Sequence, residues 1–226
     1  MNEVDMFKQM LLMQDEINSI INPNWKVAKY PWHRAVWIEC AELIEHHGYK
    51  WWKHQMPEWD QITLEIVDIW HFGLSMLLTL DLSVDELAQD ITTHYFAVFE
   101  NITPDGFMFV EKVEVFAGTS ITGVFDTISF FDMMLAAEVD LDILFSMYVG
   151  KNVLNKFRQS NGYKAGTYRK CWYDGREDNE HLTDIMGMTI LKEFTGNSLV
   201  EAIINQLQIA YDKKLYIPDS HLPSLS

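Results

Sequence analysis

The sequence predicts an all-α protein, and three observations support that fold class. Apolar side chains recur at helical spacing through most of the 226 residues, as in the segment 3–22. Two carboxylate pairs with i, i+3 spacing lie within apolar flanks, so one helix face would carry both members of a pair. No convincing strand, sequence repeat or low-complexity tract is present. We therefore expect one helical domain over 1–226.

The predicted helices follow one another with short connections. Gly48 and Ser83 are typical signals for the end of one helix and the start of another. The helices are predicted over 3–22, 33–47, 58–80, 84–99, 107–116, 120–137, 140–159, 177–193 and 198–214. We expect loops over 100–106 and 160–176, the second of them mobile, and a frayed tail containing Pro218 and Pro223.

The two carboxylate pairs are the most informative feature of the sequence. Glu39 and Glu42 belong to the predicted helix 33–47, and Glu65 and Asp68 belong to the next. Their flanks are apolar almost all round, which is typical of a buried helix. No Lys or Arg stands three or four positions from any of the four acids. Buried carboxylates need compensation of their charge, and among the local residues only His46 and His71 could supply it.

Two such helices face to face would gather four negative charges in one cleft. Divalent cations would balance that charge, and an all-oxygen ligand set suits Mg²⁺ or Mn²⁺. The alternative is that these glutamates are ordinary surface positions, as most helical glutamates are. Two pairs in matching apolar contexts favour a metal site within residues 33–80.

Charge is unevenly distributed along the chain. The formal net charge of −16 argues against a nucleic-acid or anionic-membrane binder. The segment 151–176 nevertheless carries seven of the 17 basic residues against the single acid Asp174. A basic segment in an acidic protein indicates a particular anion to be bound.

The sequence also gives an expectation of location. Cys40 and Cys171 are too few for a disulfide framework. The N-terminus is acidic where a secretory signal would be basic, and Asp68 and His71 interrupt the most apolar run, 66–80. We expect a cytoplasmic protein without a membrane span.

Several further polar and aromatic positions allow two interpretations. Gln14 and Asn18 share an apolar helix face, and spacing alone favours a pair of boundary polar residues. Lys50 and Trp51 lie in an aromatic loop that could stack on a base and hold a phosphate, or could simply pack on the core. His71 could be a core histidine or could contact a substrate.

Some common chemistries are excluded. Gly150 and Lys151 are followed by Asn152, and position 145 is Phe, so no P-loop is present. A ferritin-like di-iron centre needs two E-x-x-H motifs, and only the segment 68–71 approaches one. Carboxylate-bound Mg²⁺ beside a basic segment fits metal-assisted hydrolysis of a phosphoanhydride.

At these motifs the chain resembles a known family. The segments 39–42 (ECAE) and 65–72 (EIVDIWHF) are similar to the metal motifs of the dimeric, all-α dUTPases. The segments 150–159 (GKNVLNKFRQ), 161–164 (NGYK) and 177–179 (EDN) are similar to the phosphate-binding motifs of that family. The two carboxylate motifs alone mark only the wider MazG-like superfamily of all-α NTP pyrophosphatases. The resemblance covers residues 5–80 and 140–185 and is weak across 100–135.

The resemblance implies a homodimer, with a rigid helical core and a mobile lobe, that hydrolyses dUTP, and dUDP, to dUMP. It implies that Glu39, Glu42, Glu65 and Asp68 are catalytic and bind two or three Mg²⁺, with Glu42 or Glu39 activating the attacking water. It implies a basic phosphate-binding segment over 150–180. The implied substrate-binding residues are Gln14, Asn18, Lys50, Trp51, His71, Phe72, Lys151, Asn155, Arg158, Tyr163, Lys164, Lys170 and Asn179.

The chain departs from the family pattern in small ways. Arg176 stands where a Lys is common, and Gly73 stands where a larger apolar residue is expected. Two alternative functions remain open at this point. One is a broader pyrophosphatase acting on dCTP or damaged dNTPs, and the other is a non-catalytic nucleotide-binding helical protein.

Overall fold

The structure, a computed structural model, describes residues 1–100, 108–188 and 196–213. Over these ranges it contains nine α-helices, one short 3-10 helix and no strand, so the predicted all-α class is confirmed. The helices are α1 (Glu3–Ile21), α2 (Trp32–His47), α3 (Trp59–Leu77), α4 (Val84–Phe99), α5 (Phe109–Ile121), α6 (Thr127–Ala136), α7 (Leu141–Ser160), α8 (Asp178–Met186) and α9 (Gly196–Tyr211), with the 3-10 helix at Trp25–Val27.

Most helix ends follow from local chemistry that the sequence predicts. Ser83 caps α4 in a capping box, because its side chain accepts from the Glu86 amide while the Glu86 carboxylate accepts from the Ser83 amide. Gly48 ends α2 with φ of +92°, a backbone conformation that costs glycine little.

The boundary between α5 and α6 differs from the predicted one. The sequence predicts helices over 107–116 and 120–137, whereas α5 continues to Ile121 and α6 begins only at Thr127. The break contains Gly123 with φ of +89°, and Asp126 caps α6 by accepting from the Ile128 amide at 3.1 Å. Both signals are present in the sequence, within a segment that is apolar enough to resemble a continuous helix. The helix predicted over 177–193 is wrong beyond residue 186, because α8 ends at Met186 and Gly187, a common residue at helix ends, is its C-cap. The predicted loop 100–106, residues 189–193 and the tail lie wholly or partly outside the described residues.

The chain divides into two compact units, Met1–Asn152 and Val153–Ser226. In the first unit α2 packs along α3, α1 packs on α3 and α4, and α5 packs on α2 and α6. Their buried faces form one aromatic-rich core that includes Phe7, Trp70, Phe116 and Phe130. In the second unit α8 packs on α9 around a smaller core that includes Trp172 and Leu182. The single domain expected over 1–226 stays a prediction.

Candidate active site

Three of the four predicted metal carboxylates converge between α2 and α3. The two helices pack through buried apolar residues such as Leu43 and Ile62, which leaves their acidic positions facing each other. One oxygen each from Glu39, Glu42 and Glu65 lies within 4.8 Å of the others. A compact group of carboxylate oxygens matches the ligand chemistry of Mg²⁺, so these residues fit such an ion.

The fourth predicted ligand, Asp68, is engaged differently. Its Oδ2 lies 2.7 Å from Nζ of Lys151, whose side chain is only 2% exposed. The resemblance implies that Lys151 binds phosphate, and the structure brings it to a predicted metal ligand. Asp68 therefore has a buried ammonium as its counter-ion.

The pKa values of two carboxyl groups reflect this crowding. Burial is the main cause that raises the pKa of both Glu39 and Glu65 well above the ordinary range, and the charge of Asp68 adds to it. A hydrogen bond joins the two carboxyl groups and lets them share a proton. A divalent cation could take the place of that proton, which is further support for a metal site.

The imidazole of His46 lies beside the carboxylate cluster. Its Nε2 lies 3.6 Å from Oε1 of Glu65, and its Nδ1 lies 3.2 Å from Oε2 of Glu58. The side chain thus bridges the start of α3 and the carboxylate cluster from the end of α2.

A buried polar network lies beside the site, where α1, α3 and α7 meet. Oε1 of Gln14 lies 2.7 Å from Nδ1 of His71 and 3.0 Å from the hydroxyl of Tyr148. Nε2 of Gln14 donates to Oγ of Ser75 at 3.0 Å, and Nδ2 of Asn18 donates to the same oxygen at 2.9 Å. Gln14, Asn18 and His71, for which the family resemblance implies substrate binding, are therefore brought together.

The remaining predicted residues of the first unit lie at its surface or edge. Trp51 is 89% exposed, with its ring centroid 5.5 Å from that of Trp52. Lys50 is paired with Glu45. Phe72 is partly buried and lies 6.2 Å from the Trp32 ring centroid. Their predicted roles toward a nucleotide stay predictions.

In the second unit the predicted phosphate-binding residues form one network around a buried acid. Nε and Nη2 of Arg158 each donate to a carboxylate oxygen of Asp178 at 2.8 Å, and the Asp178 side chain is fully buried. Nη1 of Arg158 donates to Asn155 at 3.2 Å and Nη2 to Asn179 at 3.1 Å. The hydroxyl of Tyr168 also donates to Asp178. The network brings Asn155, Arg158 and Asn179 together.

The other three predicted phosphate ligands lie toward the surface of that unit. The Tyr163 ring is half-exposed, with its centroid 6.0 Å from Cζ of Arg158. Lys170 pairs with Glu177 at 2.8 Å, and Lys164 is exposed.

The structure also identifies residues that sequence reasoning did not single out. Ser75 and Tyr148 form hydrogen bonds with the Gln14 amide, and Asp178 accepts two hydrogen bonds from the Arg158 guanidinium. Ser75 stands four residues after His71 on α3, a spacing that would have placed it on the same face. Gly73, the departure from the family pattern, lies under the Phe125 ring, where a Cβ would come within 2.2 Å of ring carbons. The Phe125 ring can therefore pack in this position because residue 73 has no side chain.

Comparison with known proteins identifies the family of the chain. A family model described as dUTPase matches residues 6–163, more than two thirds of the chain. A comparison with curated proteins gives no match. Among the described residues, no helix combines the length and apolar character that crossing a membrane requires.

Proposed function

Because the chain belongs to the dUTPase family and is a dUTP diphosphatase, we propose that it converts dUTP to dUMP and pyrophosphate with the help of Mg²⁺. The observation that carries the metal assignment is the convergence of oxygens from Glu39, Glu42 and Glu65 within 4.8 Å. We propose two or three Mg²⁺ per site, for which Mn²⁺ can substitute.

The carboxylates have distinct tasks in this proposal. Glu39, Glu42 and Glu65 would hold the metal, and Asp68 would add a fourth carboxylate if Lys151 turned to a phosphate oxygen. Mg²⁺ would neutralise charge on the triphosphate and would make a nearby water more acidic. Glu42 or Glu39 would accept the proton of the attacking water.

The bond that breaks follows the implied family chemistry. Attack at the β-phosphorus breaks its bond to the α,β-bridging oxygen, which leaves with dUMP while the other phosphates leave as pyrophosphate. The same attack on dUDP releases phosphate, so dUDP is proposed as a second substrate.

Base recognition is assigned to the buried network of α1 and α3. Gln14 and Asn18 carry amide groups that can read the hydrogen-bonding edge of uracil. Contacts with the nucleoside are proposed for His71, Phe72, Lys50 and Trp51.

In the second unit, phosphate-binding roles are proposed for Asn155, Arg158, Tyr163, Lys164, Lys170 and Asn179. A homodimer and a cytoplasmic location also remain proposals from the resemblance and the sequence.

The test is release of pyrophosphate from dUTP, with dTTP, dCTP and UTP beside it, in the presence and absence of Mg²⁺. We expect metal-dependent release from dUTP above all. Glu42→Gln should abolish turnover with the fold retained, whereas Glu114→Gln, an exposed glutamate on α5, should leave it unchanged. Similar rates on all four nucleotides would instead favour a broad pyrophosphatase, and full activity of Glu42→Gln would refute the metal assignment.

A further inference from the structure

We propose that a cavity in the first unit is a second binding site, separate from the carboxylate site, for a small aromatic anion. The cavity has a volume of about 510 Å³, a size typical of small-molecule sites. The residues that line it come from the segments 25–33, 76–80 and 123–125, where the 3-10 helix meets the end of α3 and the turn between α5 and α6. None of these described residues belongs to the predicted metal-binding or substrate-binding set.

Aromatic rings form fixed walls of this cavity. The rings of Trp25 and Tyr30 both meet that of Trp32 edge to face, with centroids 6.1 Å and 5.3 Å from it. Trp25 is almost fully buried, and its Nε1 donates to Oδ1 of Asp15 at 3.0 Å. The buried ring of Phe125 is a further part of the lining. Rings that packing already holds in place lose little freedom when they bind a flat ligand.

The charge of the cavity favours an anion. Of the described residues that line it, Lys26, Lys29 and His33 are basic and none is acidic, although the chain has 33 Asp and Glu against 17 Lys and Arg. Lys26 already pairs with Asp15 at 2.9 Å. The side chains of Lys29 and His33 have no hydrogen-bond or ion-pair partner within the residues that the structure describes. These two side chains can therefore donate to a phosphate or carboxylate group.

The backbone of Lys29 has an unusual conformation. Its φ is +52°, in the left-handed region that a residue with a long side chain seldom adopts. Strained positions of this kind are frequent in segments that bind ligands. The strained residue of this segment is thus a lysine that is available to a ligand.

The walls and the charge together define the class of ligand, a flat ring that carries one anionic group. Nucleoside monophosphates and aromatic carboxylic acids share this chemistry. An uncharged ring would leave Lys29 and His33 without a counter-charge, and an inorganic anion would leave the apolar walls uncovered. We therefore expect binding to require both the ring and the charge.

NMR of methionine methyl groups in the full-length, metal-free chain locates the ligand, because Met76 lines the cavity. Met108 is the internal reference, since it precedes α5 whereas the cavity lies beyond the end of that helix. The probes dUMP and phenylacetate represent the two sources of ligand, and deoxyuridine and inorganic phosphate represent the ring and the anion alone. Metal is omitted because the carboxylate cluster then repels anions from the other site.

We expect dUMP or phenylacetate to shift the Met76 resonance at millimolar concentration and to leave the Met108 resonance unchanged. The probe that binds more tightly identifies the source, and deoxyuridine and phosphate should bind more weakly than it does. Lys29→Gln should raise Kd about fivefold, the upper value for a solvent-accessible ion pair, and Lys29→Gln with His33→Gln should raise it further. The matched control Lys53→Gln removes an exposed lysine outside the cavity and should keep the wild-type Kd.

The proposal would be overturned if neither dUMP nor phenylacetate shifted the Met76 resonance. Equal affinity for dUMP and deoxyuridine, together with an unchanged Kd in Lys29→Gln, would also overturn it, because the basic side chains would then contribute nothing. A Met76 resonance that shifts when the chain is concentrated, and that no probe shifts, would show that a second copy of the chain covers the cavity instead. None of these results depends on hydrolysis of dUTP, so they leave the proposed function to its own test.

Discussion

Nζ of Lys151 lies 2.7 Å from Oδ2 of Asp68, although 83 residues separate the two positions in the chain. Lys151 thus supplies in space the cation that is missing from the sequence around the acidic motifs. It also places a predicted phosphate ligand directly against a predicted metal ligand. The buried ammonium therefore compensates the carboxylate in the absence of metal, and it is positioned to exchange that partner for a phosphate.

Lys151→Met tests this dual role. Without the ammonium, the metal-free protein should lose about 3 kcal/mol of unfolding free energy, because a partly buried carboxylate is left uncompensated. Mg²⁺ should bind the free protein more tightly, since the cluster is more negative, while kcat/KM for dUTP falls. Denaturant unfolding, Mg²⁺ titration and steady-state kinetics measure the three effects.

Lys112→Met is the matched control for that variant. Lys112 pairs with Asp132 at 2.6 Å on other helices of the same unit, outside the carboxylate group. Its removal should lower stability without changing Mg²⁺ affinity. Equal Mg²⁺ affinity in wild type and Lys151→Met would contradict the proposed competition.

The shared proton of Glu39 and Glu65 gives a pH-dependent prediction. Both pKa values are raised in the folded state, mainly by burial, so the stabilising contribution is complete at low pH and is lost as pH rises through the raised values. Glu65→Gln keeps this group neutral. The metal-free stability difference between Glu65→Gln and wild type should therefore grow between pH ~5 and ~9 in favour of the variant.

Thermal unfolding across that pH range, with and without Mg²⁺, measures the effect. Mg²⁺ should stabilise wild type most at high pH, where the carboxylates are ionised, and Glu65→Gln much less. A stability difference that does not change with pH would rule out the raised pKa values as its cause.

Arg158 is predicted to stabilise the second unit as well as to handle phosphate. Its guanidinium makes a two-bond pair with the fully buried Asp178, which Lys cannot reproduce. Arg158→Lys should therefore destabilise the unit by roughly 3 kcal/mol, despite the conserved charge. Hydrogen exchange of α8 amides should accelerate accordingly.

Arg176→Lys provides the comparison. Arg176 also contacts two carboxylates, those of Asp174 and Asp184, but at the surface, where ion pairs contribute little. Its substitution should change exchange only slightly. If Arg158→Lys and Arg176→Lys behaved alike, burial of the Asp178 pair would not be the controlling factor.

Gly73→Ala is expected to destabilise the first unit although alanine favours helices. The added Cβ would meet the buried Phe125 ring at 2.2 Å, and forcing the ring aside should cost about 1–3 kcal/mol. Gly118→Ala, on a helix with open space around the new Cβ, should instead stabilise by up to about 1 kcal/mol. Unfolding of both variants in denaturant compares the two, and a gain in Gly73→Ala would show that Phe125 moves freely.

The sequence alone was sufficient for the helical class, most helix ends and the acidic faces of α2 and α3. These features depend on neighbours within one or two turns, such as the Ser83 capping box and the pairing of Glu39 with Glu42, and such spacing is visible in the chain. The α5–α6 break differs from the predicted one, because apolar residues continue on both sides of the signals at Gly123 and Asp126. The sequence also allowed the family to be recognised, because each motif is a continuous stretch of residues.

The tertiary structure decided which charged and polar groups satisfy one another. Lys151 neutralises Asp68, Tyr148 meets Gln14 across 134 positions, and Asp178 holds Arg158. A buried charge or amide must find a partner wherever the packing brings one, and that partner can come from any part of the chain. Helical spacing therefore predicts which residues face the interior, and only the packed helices determine which of them meet.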